Sequence, residues 1–183
     1  MGNRTDSLKN KRYLFLDRDG VINVHRPDDY VKSVDEFEFL PQVPEALAIL
    51  ARQFDKIIVV TNQRGIGKGK MNENDLQKIH AFMLERIRKA GGRIDAIYYC
   101  TALHDNDPCR KPNGGMALQA KKDFPEINFE QSIMAGDNRS DILFGKALGM
   151  ATVLIKKEAP DDVSLADFIF PSLIGFASSR ENE

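Results

Sequence analysis

No apolar run in the 183 residues approaches the length needed to cross a bilayer, which is about 20 residues for a helix. The amino terminus, MGNRTDSLKN, has no apolar core of a secretion signal. Asp6 stands where an amino-terminal acylation motif needs Ser or Thr. Only two cysteines are present, Cys100 and Cys109, which argues against a disulfide framework and fits a reducing compartment. The formal net charge of −1 gives no global field toward nucleic acid or membrane. Repeats and low-complexity segments are missing, as is a basic stripe with an aromatic stacking platform. The GIGKGK stretch from Gly65 to Lys70 lacks the spacing of a nucleotide phosphate loop, so Lys68 and Lys70 read as a solvated turn. What remains is a cytoplasmic, soluble chain without membrane or nucleic-acid partners, expected to be a monomer. Its length suits one α/β domain spanning residues 1–183, with a core over about 12–175 and frayed polar termini.

What is present centres on YLFLDRDGVIN, Tyr13 to Asn23. A short apolar run that stops at acids reads as a strand buried on both faces. Further along, Pro41 and Pro44 bracket the start of a helix to about Phe54, with Val43, Ala46, Leu47 and Leu50 on one face. KIIVV from Lys56 is a second buried strand. Asn72 can cap a helix to about Ala90 whose apolar stripe includes Leu76, Ile79, His80 and Met83. On that stripe His80 reads as a packed core histidine, and the methionines as core or turn residues. Ile94–Tyr99, Ser132–Ala135, ATVLI from Ala151 and Ala166–Phe170 read as further strands. Helices are expected from Gly114 or Gly115 to about Asp123 and over Asp141–Leu148, and the tail SSRENE is expected to fray. Strands alternating with helices predict a Rossmann-like, doubly wound parallel sheet with helices on both faces. No segment between the first strand and first helix is long enough for a full cap domain.

In such a sheet the carboxyl ends of the strands share one edge. That edge would gather Asp17 and Asp19, Thr61 and Asn62, and Asp137, with Lys111 joining from the loop after the third strand. Gly20 permits a tight exit, so both acids can face one site. Paired carboxylates suit a hard cation such as Mg²⁺, and a carboxylate can attack phosphorus. A hydroxyl, an amide and an ammonium can hold phosphate oxygens beside them. Alternatively, these acids are ordinary surface groups on a strand-to-loop turn.

The motifs DRDGVIN, TNQRGIGKG, CRKPNGGM and GDNRSD occur in that order. Together, over about residues 12–155, they resemble the haloacid dehalogenase superfamily of phosphohydrolases. Within it, the chain is most similar to the D-glycero-D-manno-heptose-1,7-bisphosphate phosphatases and their histidinol-phosphatase relatives. The resemblance implies that Asp17 is the nucleophile and Asp19 the acid and base. Mg²⁺ would be held by Asp17, the Asp19 carbonyl and Asp137. Thr61 and Asn62 would bind the transferring phosphoryl group, and Lys111 would neutralise it. Gln63, Arg64, Arg110, the loop from His25 to Asp28, and Asn138 match substrate-contacting positions. Asp141 would orient Asn138, Lys111 or metal waters, or simply begin a helix favourably.

Two departures from that family pattern stand out. Where the family carries a four-ligand zinc loop, this chain keeps only Cys100 and Cys109, with His104 nearby. That set is incomplete for structural zinc, so a shortened zinc-free loop is expected. Asn138 also replaces a Lys or Arg. The substrate implied is the 7-phosphate of heptose 1,7-bisphosphate. Histidinol phosphate is the rival, with Asp28, Asp29 and Asp105 available to meet its amine. A nucleic-acid 3′-phosphatase is disfavoured by the missing basic stripe. A receiver-type phospho-accepting module would place its acid after the third strand, not the first, and a non-catalytic sugar-phosphate binder would be expected to lack Asp17 or Asp19.

Overall fold

The computed structural model describes residues 6–157 and 165–181. Apolar runs flanked by polar turns form six parallel strands: β1 (Tyr13–Leu16), β2 (Lys56–Asn62), β3 (Ala96–Cys100), β4 (Ser132–Gly136), β5 (Ala151–Ile155) and β6 (Phe168–Phe170). Their order across the sheet is β3-β2-β1-β4-β5-β6. The chain winds outward through β2 and β3, then crosses back to lay β4 on the other side of β1. A crevice therefore opens between the carboxyl ends of β1 and β4, where doubly wound sheets bind ligands.

All four residues of β1 are buried, as are all five of β4. Alternation within the strands divides the core. Leu14, Leu16, Ile57, Val59, Ile133 and Val153 face one layer, while Tyr13, Phe15, Ile58, Val60 and Met134 face the other. The first layer is covered by α2 (Val43–Gln53), α4 (Glu73–Lys89) and α7 (Leu173–Glu181), through residues such as Leu47, Leu50, Ile79, Met83 and Phe176. The second is covered by α5 (Gly115–Asp123) and α6 (Arg139–Ala147), through Met116, Ala117 and Phe144. Each such side chain withdrawn from water contributes about 1.5–3 kcal/mol before entropy is counted. Short helices α1 (Asp6–Lys9) and α3 (Arg64–Gly67) complete the set.

The helix starts follow local chemistry. Asn72 caps α4 by accepting from the Asp75 amide, and Asp75 returns the bond to the Asn72 amide, both at 3.0 Å. Gly91, at φ +86°, supplies the left-handed exit from α4. Several boundaries move from the sequence reading. β2 runs on through Asn62, so Thr61 and Asn62 belong to the strand rather than to the loop beyond it. Helix α6 begins at Arg139, because Asn138 is its cap.

The carboxyl-terminal tail does not fray where expected. Helix α7 continues to Glu181, burying Leu173, Phe176 and Ala177 against α2. Its polar residues, Ser178 to Arg180, stay half-buried, with the Arg180 guanidinium stacked 4.4 Å from the Phe54 ring. At the other terminus, residues 1–5 lie outside the described residues, but α1 forms and Leu8 is buried. No helix among the described residues is long and apolar enough to cross a membrane.

The two cysteines also depart from the sequence reading. Cys100, at the end of β3, and Cys109 are joined as a disulfide. The loop that leaves β3 doubles back and brings their Cα atoms to 5.6 Å, within the span a disulfide bridges.

Candidate active site

The chain leaves β1 in a tight turn. The Arg18 carbonyl accepts from the amides of Val21, Ile22 and Asn23, and Gly20 sits at φ +87° with its α-carbon against Asp137. A β-carbon there would fall 2.1 Å from Asp137 Oδ2, so only glycine lets the two strand ends close up. This turn lets Asp17 and Asp19 both line one cavity, although they are two residues apart.

The cavity measures about 370 Å³ and lies over the crevice. Its floor is Asp17, Asp19, Asn62, Gln63, Lys111 and Asp137. His25, Arg26, Asp29, Tyr30 and Val31 form one wall, and Arg110, Asn138, Ser140 and Lys156 complete the rim.

Lys111 is fully enclosed. Its ammonium lies 2.9 Å from Asp17 Oδ1 and 2.6 Å from Asp141 Oδ1. Asn62 holds the lysine's backbone on both sides, accepting from its amide at 3.0 Å and donating to its carbonyl at 3.2 Å. Burial opposes the charged form of Lys111, but the two carboxylates overcome it and raise its pKa. Burial pushes the Asp17 carboxyl up to about 7, partly offset by Lys111 and reinforced by Asp141 and Asp19. Burial, with the charge of Asp17, pushes Asp137 up to about 6. Asp141 is raised too, again by burial.

Three carboxylates thus face one ammonium. The oxygens of Asp17, Asp137 and Asp141 lie within 4.8 Å of one another. Hard oxygen donors with uncompensated negative charge are the donor set a small divalent cation takes, and such a cation would let Asp17 and Asp137 both ionise. Magnesium therefore fits the residues present.

Asp19 has a different environment. Arg18 Nη2 donates to both its oxygens, at 2.9 and 3.0 Å. Asn23 donates to Oδ1 at 2.9 Å and Gln63 to Oδ2 at 2.9 Å. Burial works to raise its pKa, but Arg18, Asn23 and Gln63 together hold it below the usual carboxylate range.

Not every residue singled out in the sequence reaches the cavity. Thr61 is buried beneath it, its hydroxyl accepting from Gln63 Nε2 at 2.8 Å. Arg64 turns outward to pair with Asp105, which also accepts from Arg110 Nε at 3.0 Å. Asp28 is exposed at φ +60°, and its neighbour Asp29 lines the wall in its place. Asn138 reaches the rim, but its side chain accepts from the Ser140 amide at 3.3 Å, and Asp141 Oδ2 accepts from the Asn138 amide at 3.1 Å. The asparagine is thereby committed to capping α6. His104 is exposed and takes no part in the Cys100 cluster, where Asp107 approaches the two sulfurs instead.

The sequence reading passed over several cavity residues. Lys156 follows β5 directly, and the end of that strand carries it to the rim. Arg18 lies between the two acids and is 1% exposed. His80 is buried as expected, but its Nε2 lies 3.3 Å from Arg18 Nη1. Burial, and then Arg18, push its pKa down to about 4, so the ring is neutral near pH 7. Arginine can only donate, so Nε2 accepts and the ring proton sits on Nδ1. The apolar stripe concealed this role. A usable signal was the charged residue between two acids at a buried strand end, which has to find a partner inside.

The chain is similar to several known proteins. The family model described as polynucleotide kinase 3 phosphatase matches residues 13–178. A D-glycero-alpha-D-manno-heptose-1,7-bisphosphate 7-phosphatase of Campylobacter jejuni is 39% identical over 146 residues, covering 79% of this chain and 82% of that one. The D-glycero-beta-D-manno-heptose-1,7-bisphosphate 7-phosphatase of Vibrio cholerae is 38% identical, covering 82% and 84%. Among solved structures, D,D-heptose 1,7-bisphosphate phosphatase from B. bronchiseptica, complexed with magnesium and phosphate, superposes with a TM-score of 0.83. It is 28% identical and covers 93% of this chain and 98% of that one.

Proposed function

The chain belongs to the heptose-bisphosphate phosphatases of the haloacid dehalogenase superfamily, which makes it a phosphoric monoester hydrolase, and from that premise we propose that it removes the 7-phosphate of D-glycero-D-manno-heptose 1,7-bisphosphate through an aspartyl-phosphate on Asp17. The convergence of Asp17, Asp137 and Lys111 at the crevice between β1 and β4 carries the chemical part of this reading. The heptose relatives carry the substrate part.

Asp17 is the attacking group. One carboxylate oxygen forms a bond to phosphorus while the bond to the sugar oxygen breaks, and the bonding pair leaves with that oxygen. Asp19, held ionised in the resting site by Arg18, Asn23 and Gln63, takes up a proton from solvent as the phosphate dianion binds beside it and gives that proton to the departing oxygen. Its carboxylate then takes a proton from water as the water oxygen bonds to phosphorus and the Asp17 ester breaks, releasing phosphate. Lys111 favours the ionised form of Asp17 and faces the transferring group, and Asn62 holds Lys111 there. Magnesium, held by Asp17, Asp137 and the Asp19 carbonyl, would supply neutralising charge for the phosphoryl oxygens. Arg110 and Lys156 at the rim and Arg26 on the wall offer cations to a second phosphate.

A 3′-phosphorylated nucleic acid is the rival that the family model's description favours. Against it stand the net charge of −1 and a cavity walled by residues 25–31. The test is phosphate release with Mg²⁺ from both anomers of heptose 1,7-bisphosphate, fructose 1,6-bisphosphate, histidinol phosphate and a 3′-phosphorylated oligonucleotide. A dominant kcat/KM for one heptose anomer is expected. Dominance by the oligonucleotide or by histidinol phosphate would refute the substrate, and Asp17→Asn with undiminished turnover would refute the nucleophile.

A further inference from the structure

The Asp19 carboxylate is held by an internal device that the reaction scheme does not use directly. Arg18 points into the protein from the strand end, and its side chain is 1% exposed. Burying a guanidinium is unfavourable unless it is well paired. Its three nitrogens are not equally served. Nη2 lies between both oxygens of Asp19, Nη1 faces His80 Nε2 at 3.3 Å, and Nε has no partner.

Each of the other Asp19 donors reaches one oxygen only: Asn23 on Oδ1 and Gln63 on Oδ2. Arg18 alone spans the two. A donor on the carboxylate's bisector lies on the line of the Cβ–Cγ bond, so Arg18 fixes the direction in which the carboxylate points and how far it reaches, while the one-sided donors Asn23 and Gln63 fix its rotation. Gln63 also ties to the Thr61 hydroxyl, so its reach is set by β2. Arg18 is set in turn by His80, which stands on the buried stripe of α4 with its ring edge-on to Tyr99. Without an acceptor at that point Nη1 would be a buried donor with nothing to bond, which is costly. Together these residues connect the helix layer to one carboxylate in the cavity.

We propose that Arg18 and His80 are positioning residues, with His80 bracing Arg18 and Arg18 orienting the Asp19 carboxylate for its proton transfers. This inference rests on the acid–base role given to Asp19 above. It implies a loss that depends on how badly the leaving group needs a proton. A sugar alkoxide needs one, whereas p-nitrophenolate leaves without it.

The experiment is single-turnover phosphoryl transfer from heptose 1,7-bisphosphate and from p-nitrophenyl phosphate, in the wild-type protein and in Asp19→Asn, Arg18→Met and His80→Phe. Asp19→Asn should lose about 100-fold or more on the sugar phosphate and far less on the nitrophenyl ester. Arg18→Met should show the same selectivity, losing at least about 10-fold more on the sugar phosphate than on the nitrophenyl ester. His80→Phe should shift the same ratio in the same direction by a smaller factor, and it decides the matter if Arg18→Met does not fold. Equal loss on both esters in the Arg18 and His80 variants, while Asp19→Asn remains selective, would overturn the positioning role alone. Equal loss in Asp19→Asn would overturn the acid–base role and the positioning role with it.

Discussion

Replacing Lys111 by methionine keeps most of the side-chain volume and removes the one ammonium shared by Asp17 and Asp141. The lysine and Asp141 side chains are 1% and 0% exposed, so water cannot take the place of the missing charge. Breaking a buried pair from one side costs about 3–5 kcal/mol, a large part of the roughly 5–15 kcal/mol that holds a domain folded. The cost depends on pH, because the stranded carboxyls can take up protons. Both acids have folded pKa values raised above their unfolded values even with the lysine present, Asp17 to about 7. The variant raises them further. Its folded state then binds more protons than its unfolded state, and its stability falls as pH rises through those values. Urea unfolding with a chelator present should therefore show the full deficit at about pH 8 and a much smaller one at about pH 5. Adding Asp141→Asn to the variant removes one of the two stranded charges and should recover part of the loss at the higher pH. A deficit that is equal at both pH values, or under about 1 kcal/mol at pH 8, would show that the triad is not the electrostatic unit described.

Other perturbations separate the elements of the site. Gly20→Ala places a methyl 2.1 Å from Asp137 Oδ2, so the Mg²⁺ concentration giving half-maximal activity should rise about tenfold or more; an unchanged Mg²⁺ dependence would contradict the close approach. Asn138→Ala removes the α6 cap and should cost about 1 kcal/mol in thermal or urea unfolding, with KM for the bisphosphate little changed. A large rise in KM with unchanged stability would make Asn138 a substrate contact after all.

The parts of the fold that were legible in the sequence are those where burial imposes a period or a run. β1, β2 and β5 are strands because apolar residues continue without a break, and α4 follows from its stripe and its Asn72 cap. That Asp17 and Asp19 stand at the carboxyl end of β1, lining the crevice, was legible from where the first run ended. Helix α7 was missed because Ser178 to Glu181 look solvated; what stabilises them is the apolar turn before them, docked on α2. Asn138 was legible in principle, since Asn followed three residues later by Asp is a capping pattern, but its place after Asp137 drew attention to the ligand side. Lys156 could not have been assigned from its neighbours, because only the tertiary position of β5 brings it to the rim. The pairing of Cys100 with Cys109 likewise depends on the path of the loop, which no periodicity reports.

The strand order has a consequence for how activity arises during folding. Asp17 follows the first strand and Asp137 the fourth, and Tyr13 pairs with Ser132 while the Asp17 amide bonds the Ala135 carbonyl. The two sides of the crevice thus come from strands far apart in the chain. A partly synthesised or truncated chain can form the β1–β2 pair and its helices, yet it holds Asp17 beside an open sheet edge with no second carboxylate to complete the crevice. Closing so long a loop is among the slower steps available to a small domain. The crevice that gathers Asp17, Asp137 and Lys111 therefore forms only when most of the molecule has already folded.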